Sequence, residues 1–413
     1  MNRRDFIAQG GMLGMPLQAQ AMAQTGPRYS GRPQLKITDV QAHLVAVGTR
    51  NLCFVKVLTD AGIHGWGEAY SVGPDEATVA TVKDFREWLV GRDPRNVEYL
   101  WAVMYNFTRF PGGAVIMAAL SGIEHALWDV AGKAAGLPVY MLTGGKCREK
   151  IRVYQGARGN TPAELAAACR RLKDKYGYTA LKMRPTPPDH RIPNNALIRE
   201  VEARAQAARE AVGPDVDLGF DVHATIFEPI RAAQIAEALK PIRPYFIEEP
   251  IRMENIDAMA SLKKRIDIPL ATGECLYSKY EFREILAREA ADIVQPDICL
   301  AGGLLEQKKI AAMAEAHYVV VAPHNPMGPL ATMVNVHFAA STPNFLILEY
   351  TADDEAPRKD LIKDPILVKD GYLEIPEKPG WGYEVNEEAF KKYPPKRWNR
   401  PFAFREDGSP DYI

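Results

Sequence analysis

The sequence predicts an α/β fold in which a parallel barrel of eight strands follows a smaller α+β domain. Two observations support this prediction. From Ile151 onward, short apolar runs alternate with amphipathic helical stretches about every 25 to 35 residues, as in repeated βα units. Before that point, residues 35–70 alternate like half-buried strands, and residues 76–135 show helical periodicity. The chain of 413 residues therefore divides into two domains near residue 150.

The first residues look like an export signal and not like part of the fold. Arg3 and Arg4 precede a weakly apolar stretch rich in Gly and Ala, and Ala21-Met22-Ala23 is typical of a cleavage site. We predict a twin-arginine signal over residues 1–23 and a mature protein in the periplasm. The alternative is a tail on a cytoplasmic protein. The stretch is too short and too interrupted by Gly, Gln and Pro for stable membrane insertion.

Residues 35–150 are predicted to form the smaller domain. Two strand-like runs, residues 42–45 and 53–58, are followed by a hairpin turn at Asp60-Ala61-Gly62. Apolar residues then recur at helical spacing over residues 114–135, until Gly136-Leu137-Pro138 ends the helix. An antiparallel meander followed by helices is typical of an α+β module. The irregular tail, residues 375–413, is predicted to pack on it.

Residues 151–374 are predicted to form the barrel. Eight apolar runs separated by helical crossovers predict parallel strands, because such crossovers connect parallel neighbours. An irregular tail follows the last run, where a covering helix would otherwise be expected. The predicted strands are residues 151–154, 180–183, 217–221, 245–248, 268–271, 293–295, 319–322 and 345–349.

Composition excludes several classes of function. The chain has 51 Lys and Arg against 52 Asp and Glu, a net charge of −1, whereas binding to nucleic acids or acidic membranes needs a clustered basic excess. Five cysteines without a C-x-x-C spacing indicate neither a disulfide framework nor a cysteine zinc site. A small-molecule partner is therefore favoured over a nucleic acid.

Seven successive predicted strands end in ionisable side chains. Any one of them would more often be a solvated loop residue, but barrel active sites are built at the carboxyl ends of the strands. We therefore expect these side chains to converge on one site. In strand order they are Lys182 and Arg184, Asp221 and His223, Glu248 and Glu249, Glu274, Asp297, His324, and Glu349.

Three of these acids lie on adjacent strands, one βα unit apart: Asp221, Glu248 and Glu274. Converging carboxylates repel one another unless a cation lies between them, and oxygen ligands suit a hard ion such as Mg²⁺. Glu249 is also a candidate ligand, but side chains alternate along a strand and the even spacing favours Glu248. The sequence therefore predicts a magnesium site on this side of the barrel.

The histidine on the seventh strand is a candidate general base. Asp297 ends the strand before His324, and a carboxylate bonded to an imidazole fixes its tautomer and raises its basicity. Read alone, His324 could be an ordinary loop histidine before Asn325-Pro326.

These motifs together resemble the mandelate racemase subgroup of the enolase superfamily, in particular its galactonate dehydratase-like acid-sugar dehydratases. The resemblance implies a capping domain, a modified TIM barrel of the (β/α)7β type, and Mg²⁺ held by Asp221, Glu248 and Glu274. It also implies that the metal binds a substrate carboxylate and stabilises an enediolate after a base removes the α proton. The segments that carry it are Ser121–Asp129, Ile247–Pro250, Gly273-Glu274, Gln295–Asp297 and Pro323–Pro329, with Arg400-Pro401 and Asp407–Ser409 in the tail.

Details within the motifs select a branch of that superfamily. Asp221-Val222-His223 resembles acid-sugar dehydratases in which the histidine is the general acid for the departing 3-hydroxyl. The spacing from His324 to Glu349 is similar to members in which that glutamate helps to polarise the substrate carboxylate. Lys182-Met183-Arg184 departs from the Lys-x-Lys of the racemase, and arginine is a poor base but a good clamp for an anion.

We therefore predict a Mg²⁺-dependent dehydratase that converts an aldonic or aldaric acid to a 2-keto-3-deoxy acid. Alternatives are a lyase that expels a glycosidic oxygen from a uronate, a cycloisomerase, or an epimerase, the last weakened by Arg184. The remaining alternative is a homologue that binds an acid sugar without catalysing a reaction. Arg109, Tyr70 and Glu249 are candidate substrate contacts, with Arg109 placed to meet a distal carboxylate. The resemblance also implies a homo-oligomer.

Overall fold

The computed structural model of the protein describes residues 34–71, 73–397, 404–405 and 407–410. The predicted signal over residues 1–23 and the Arg400-Pro401 motif lie outside these residues. Neither prediction is therefore tested by the fold.

The smaller domain is an antiparallel sheet with helices packed on one face. Its strands pair in chain order: β1 (Ile37–Val47), β2 (Arg50–Thr59) and β3 (His64–Ala69). The helices are α1 (Asp75–Leu89), α2 (Val97–Phe107), α3 (Ala114–Ala135) and α4 (Val139–Leu142). The predicted hairpin joins β2 to β3, and the predicted helix over residues 114–135 is α3.

Helix α3 is the centre of this domain and lies directly against β3. A Cβ added to Gly65 would lie 2.1 Å from the carbonyl oxygen of Ala126, and one added to Gly67 would lie 2.0 Å from that of Gly122. Glycine is therefore needed at both positions for the backbones to approach so closely. By length and composition α3 could cross a membrane, but 78% of its apolar window is buried inside the protein, as expected of a core helix.

The larger domain is a (β/α)7β barrel, as the family resemblance implies. Seven pairs of successive strands are each connected by a helix. The strands are β4 (Lys150–Ala157), β5 (Ala180–Met183), β6 (Asp217–Asp221), β7 (Phe246–Glu248), β8 (Leu270–Thr272), β9 (Ile293–Val294), β10 (Val320–Val321) and β11 (Leu348–Glu349). The helices are α5 (Pro162–Tyr176), α6 (Asn194–Val212), α7 (Pro229–Leu239), α8 (Ile256–Lys263), α9 (Ser278–Ala287), α10 (Leu304–Ala316) and α11 (Pro329–Ala340).

The sheet closes on itself. Neighbouring strands pair in parallel from β4 to β10, and β11 pairs with β4 on the other side. A parallel bridge between Val321 and Phe345 joins β10 to the segment that leads into β11, so the eight strands form a ring. In this ring β6 lies opposite β10, and β4 lies opposite β8.

The tail returns to the smaller domain. Strand β12 (Tyr372–Glu374) pairs antiparallel with the start of β4, and the short helix α12 (Glu388–Lys392) follows. Beyond β12, the Trp381 indole donates to the carbonyl of Trp66, and the amide of Ala46 donates to the carbonyl of Tyr393. These contacts join the segment around residues 381–393 to the smaller domain.

Candidate active site

A cavity of about 640 Å³ opens at the carboxyl ends of the barrel strands. Its size is in the usual range for sites that enclose a small ligand. It contains most of the ionisable side chains that the sequence places at strand ends. The charged and histidine residues lining it are Arg158, Lys182, Arg184, His190, Arg191, Arg204, Asp221, His223, Glu274, His324 and Glu349.

Lys182 lies at the centre of an acidic cluster. Its ammonium nitrogen is 2.6 Å from Glu248 Oε1, 3.0 Å from Glu349 Oε1 and 3.4 Å from Asp221 Oδ2. Burial opposes the charge of Lys182, but these carboxylates hold its pKa well above the ordinary value. Four strands of the barrel therefore direct charged groups to one point.

The two adjacent glutamates at the end of β7 have different bonding partners, as side-chain alternation predicts. Glu248 faces Lys182 and accepts a 2.8 Å hydrogen bond from Gln295 Nε2. Glu249 accepts bonds from the Thr272 hydroxyl at 2.8 Å and the Gly273 amide at 3.0 Å. The structure therefore makes Glu248 part of the acidic cluster and bonds Glu249, a predicted substrate contact, to the end of β8 instead. Neither glutamate is among the residues lining the cavity.

The pKa values of two carboxylates in the cluster are shifted in opposite directions. Burial raises the pKa of Glu248 to about 8, against the opposing charge of Lys182. Burial would also raise the pKa of Glu349, but Lys182, protonated His324 and the Asn325 amide hold it at about 2. Glu349 is therefore ionised near neutral pH. A further cation nearby would favour the ionised form of Glu248 most.

His324 and Asp297 form the predicted pair. His324 Nδ1 is 2.8 Å from Asp297 Oδ2, and its Nε2 is 3.5 Å from Glu274 Oε2. An ionised carboxylate can only accept, so Nδ1 carries the donated proton and Nε2 is the atom available for chemistry. Burial alone would lower the pKa of His324, but Glu274 and Asp297 raise it to about 10.

His223 and Arg184 line the cavity from the side of β5 and β6. The His223 amide donates to Asp221 Oδ1 at 2.7 Å, and its backbone has a left-handed φ of 57°. This turn holds the imidazole at the rim, opposite the strand that carries His324. Arg184 follows the last residue of β5 and lies on the same wall. Two histidines thus approach the cavity from opposite sides.

The side chains present fit a divalent cation. Asp221 and Glu248 are paired across β6 and β7, and Glu274 follows the next strand. Carboxylate oxygens are the ligands that Mg²⁺ prefers, and a second positive charge would offset the cost of burying ionised Glu248. Within the described residues, no three His, Cys, Asp or Glu side chains already stand close enough together to enclose an ion. In this structure Lys182 pairs with the candidate ligand Glu248, and His324 pairs with the candidate ligand Glu274.

The other two predicted substrate contacts are placed differently. Burial, and then the charges of Asp297 and Glu274, raise the pKa of Tyr70 well above the ordinary value, and Tyr70 is not among the residues lining the cavity. Arg109 is exposed, its guanidinium lies 5.6 Å from the ring centre of Phe110, and it is not among the residues lining the cavity. The structure therefore does not bring Arg109 to the site.

Some site residues were not predicted by sequence reasoning. Gln295 orients Glu248 through its side-chain amide, and Asn325 orients Glu349 through its backbone amide; both residues lie inside the motifs that carry the family resemblance. Arg158 lines the cavity directly after β4. The predicted strand ended at Tyr154, three residues before the observed end at Ala157, so the strand-end rule was not applied to Arg158. The correct boundary would have identified it.

A buried glutamate of the smaller domain holds the turn after His324. Glu68 accepts hydrogen bonds from the Gly328 amide at 2.6 Å and the Ala331 amide at 2.9 Å, at the start of α11. Burial raises the pKa of Glu68 to about 7, against the effect of these two bonds. Arg50 donates to the Pro326 carbonyl from the same domain. The capping domain therefore positions the segment that carries the candidate base.

The comparison with known proteins agrees with this architecture. Residues 164–389 match the model of enolase C-terminal domain-like proteins, and residues 31–144 match the mandelate racemase / muconate lactonizing enzyme N-terminal domain. The chain therefore belongs to the mandelate racemase and muconate lactonizing enzyme family of the enolase superfamily. This confirms the family and the fold that the sequence predicts.

Its similar proteins include dehydratases. The D-galactonate dehydratase of Variovorax paradoxus is 37% identical over 386 residues, which cover 91% of this chain and 99% of that protein. That of Pectobacterium atrosepticum is 35% identical over 365 residues, covering 86% and 95%. An enolase from Agrobacterium radiobacter, provisionally named a galactarate dehydratase and solved with Na and L-malate, has a TM-score of 0.88 at 40% identity, covering 92% and 100%.

Proposed function

We propose that the protein is an acid-sugar dehydratase that converts an aldonic or aldaric acid to a 2-keto-3-deoxy acid and water. The observation that carries the proposal is the position of two histidines, His324 and His223, which follow opposite strands of the barrel and line the same cavity. Removal of the α proton and departure of the 3-hydroxyl need a base and an acid, which this arrangement supplies from two sides. The dehydratase relatives support the same reaction class.

His324 removes the proton on the carbon next to the substrate carboxylate. The C–H electrons pass into that carboxylate to form an enediolate, and the proton goes to His324 Nε2. Asp297 keeps Nε2 directed into the cavity and stabilises the imidazolium that forms, because Nδ1 stays bonded to its carboxylate. The ion pair with Glu274 raises the pKa of the imidazole and keeps a proton on Nε2, so His324 must lose that proton and its contact with Glu274 before it can accept the α proton of the substrate.

His223 completes the elimination. The enediolate electrons return, the bond between C3 and its hydroxyl oxygen breaks, and the oxygen leaves as water with the proton of His223. The resulting enol loses the proton of its C2 hydroxyl and takes up a proton at C3, which gives the 2-keto-3-deoxy acid. Lys182 contributes a fixed positive charge where negative charge develops on the substrate carboxylate. Arg184 lacks a basic form near neutral pH, so it can bind an anion but cannot act as a second base.

We propose Mg²⁺ as the metal, held by Asp221, Glu248 and Glu274. When bound, the ion would polarise the substrate carboxylate and so acidify the α proton. The buried Glu248, with its raised pKa, supports this assignment because a nearby cation favours its ionised form.

A panel of aldonic, aldaric and unsaturated or glycosidically linked uronic acids, assayed with Mg²⁺ in D₂O, tests the proposed reaction. We expect a keto acid to accumulate from at least one aldonic or aldaric acid, and chelation to stop it. Exchange of the α hydrogen without loss of water would indicate epimerisation instead. Release of a sugar from a linked uronate would indicate glycosidic elimination, and either result would replace the dehydratase assignment.

Export to the periplasm and homo-oligomer formation remain proposals. The twin arginine and the small-residue site at residues 21–23 support export, and the family resemblance supports oligomers. Fractionation of cells that express the full chain, with N-terminal sequencing of the product, tests the first proposal. Light scattering of the purified protein tests the second.

A further inference from the structure

Arg158 is a cation of the cavity that has no part in the chemistry proposed above. Arg158 follows Ala157 at the end of β4 and lines the cavity. In the closed ring of strands, β4 lies opposite β8, which leads to Glu274. A substrate whose reacting end is held near Glu274 and Asp221 therefore extends across the cavity toward Arg158.

The acidic side chains that line the cavity already form ion pairs with other side chains of the site. Each of them contacts a cation: Asp221 and Glu349 contact Lys182, and Glu274 contacts His324. The neighbouring guanidinium of Arg191 is 2.7 Å from Asp189. Arg158, by contrast, has no carboxylate within ion-pair distance in the described part of the chain. It therefore presents a positive charge for which the described residues provide no counter-charge.

The turn that carries Arg158 is rigidly held. The buried guanidinium of Arg204 donates to the carbonyls of Gly159 at 2.9 Å, Asn160 at 3.0 Å and Arg184 at 3.4 Å. A Cβ on Gly159 would lie 2.3 Å from the Leu165 amide nitrogen, so this turn packs tightly on α5. Arg204 thus ties together the ends of β4 and β5. A cation on a fixed backbone loses less entropy on binding a ligand than one on a mobile loop.

We propose that Arg158 binds a second carboxylate of the substrate, remote from the carbon that loses its proton, and that the enzyme therefore prefers aldaric to aldonic acids. The inference rests on the proposed function, which leaves these two classes open. A guanidinium holds a carboxylate through two parallel charge-assisted hydrogen bonds. The hydroxymethyl group of an aldonic acid provides neither the charge nor the second acceptor, so Arg158 would be left without a counter-ion.

Matched pairs of hexaric and hexonic acids with the same configuration from C2 to C5 test this preference. Galactarate and D-galactonate form one such pair. We expect kcat/KM of the wild type to be at least about 30-fold higher for the preferred hexarate than for its hexonate, the scale expected for loss of one partner from a charge pair. Arg158→Gln should lower the hexarate value by about that factor and leave the hexonate within about threefold. Arg158→Lys should restore part of the loss.

Arg191→Gln is the matched control, since Arg191 lines the same cavity but is neutralised by Asp189. It should keep the hexarate preference of the wild type. Keto-acid formation with a preference for the hexonate would overturn the role of Arg158 and leave the dehydratase assignment standing. An equal loss of preference in both variants would also overturn it, because the effect would then follow the general charge of the cavity.

Calorimetry separates this inference from the proposed function. Hexarate and hexonate are titrated into His324→Asn, in which turnover is blocked, with and without the added Arg158→Gln change. Tighter hexarate binding that the second change abolishes supports the inference, even if the wild type dehydrates no acid sugar. Equal binding of the two acids, or no binding of either, overturns it.

Discussion

Replacing Glu68 by Gln tests whether the smaller domain positions the catalytic base. The Glu68 carboxylate accepts from two backbone amides, Gly328 at 2.6 Å and Ala331 at 2.9 Å. A glutamine has one acceptor oxygen, so one of these buried amides loses its partner. An orphaned buried donor costs about 1–3 kcal/mol, to which the lost carboxylate at the start of α11 adds about 0.3–1 kcal/mol.

The same change should affect catalysis, because Gly328 is close in sequence to His324. A loss of about 1–3 kcal/mol in the hydrogen bonds that hold the turn corresponds to about 5- to 150-fold in rate if His324 is no longer aligned. We expect kcat on the best acid sugar to fall within this range at pH 8, where Glu68 of the wild type is mostly ionised. Mg²⁺ affinity should remain unchanged, because Glu68 is not a proposed ligand.

Glu124→Gln provides the matched control. Glu124 is equally buried, its pKa is also raised to about 7 by burial, and it accepts from the Leu304 and Leu305 amides at 2.9 Å each. It caps α10, whose first residues do not line the cavity. The free energy of unfolding should fall similarly in both variants, with kcat of Glu124→Gln within about threefold of the wild type. Equal kcat losses in the two variants, or a normal kcat in Glu68→Gln, would refute the positioning role.

Three further predictions concern the base, the metal and pH. Asp297→Asn should lower kcat by about 10²- to 10⁴-fold, measured by keto-acid formation, because the imidazole loses its fixed tautomer. Saturating Mg²⁺ should raise the Tm of the wild type, since it binds only the folded protein, and Asp221→Asn should reduce that rise in a thermal shift assay. Glu124 has a higher pKa when folded than the ordinary 4.5, so its burial costs stability as pH rises from about 4.5 to about 7. The unfolding free energy of Glu124→Gln should therefore fall less over this interval than that of the wild type, and an identical pH dependence would contradict this account.

The sequence predicts those parts of the site that follow a local rule. Asp221, Glu248 and His324 could be identified because the ends of barrel strands meet at one face, and strand periodicity locates those ends. Glu249 could be distinguished from Glu248 because successive side chains of a strand point to opposite faces. In the structure Glu249 accepts from the Thr272 hydroxyl, as this alternation predicts.

Features that depend on tertiary packing could not be predicted in this way. Strand β4 continues to Ala157 because it pairs with Met183 of β5, and that pairing brings Arg158 to the cavity. Glu68 caps a helix about 260 residues further along the chain, a contact with no local signal. Arg109 has the charge expected of a substrate contact, but it is exposed beside Phe110 and is not among the residues that line the cavity. In each case contacts with segments that are distant in sequence determine the position of the side chain.

The central claim is that His324 removes the α proton in a metal-dependent dehydration. The most direct measurement compares wild type and His324→Asn for keto-acid formation and for exchange of the α hydrogen with D₂O, while calorimetry follows Mg²⁺ binding. The account predicts that the variant loses both reactions by at least about 10³-fold and retains Mg²⁺ affinity within about threefold. Turnover by His324→Asn at the wild-type rate would contradict it.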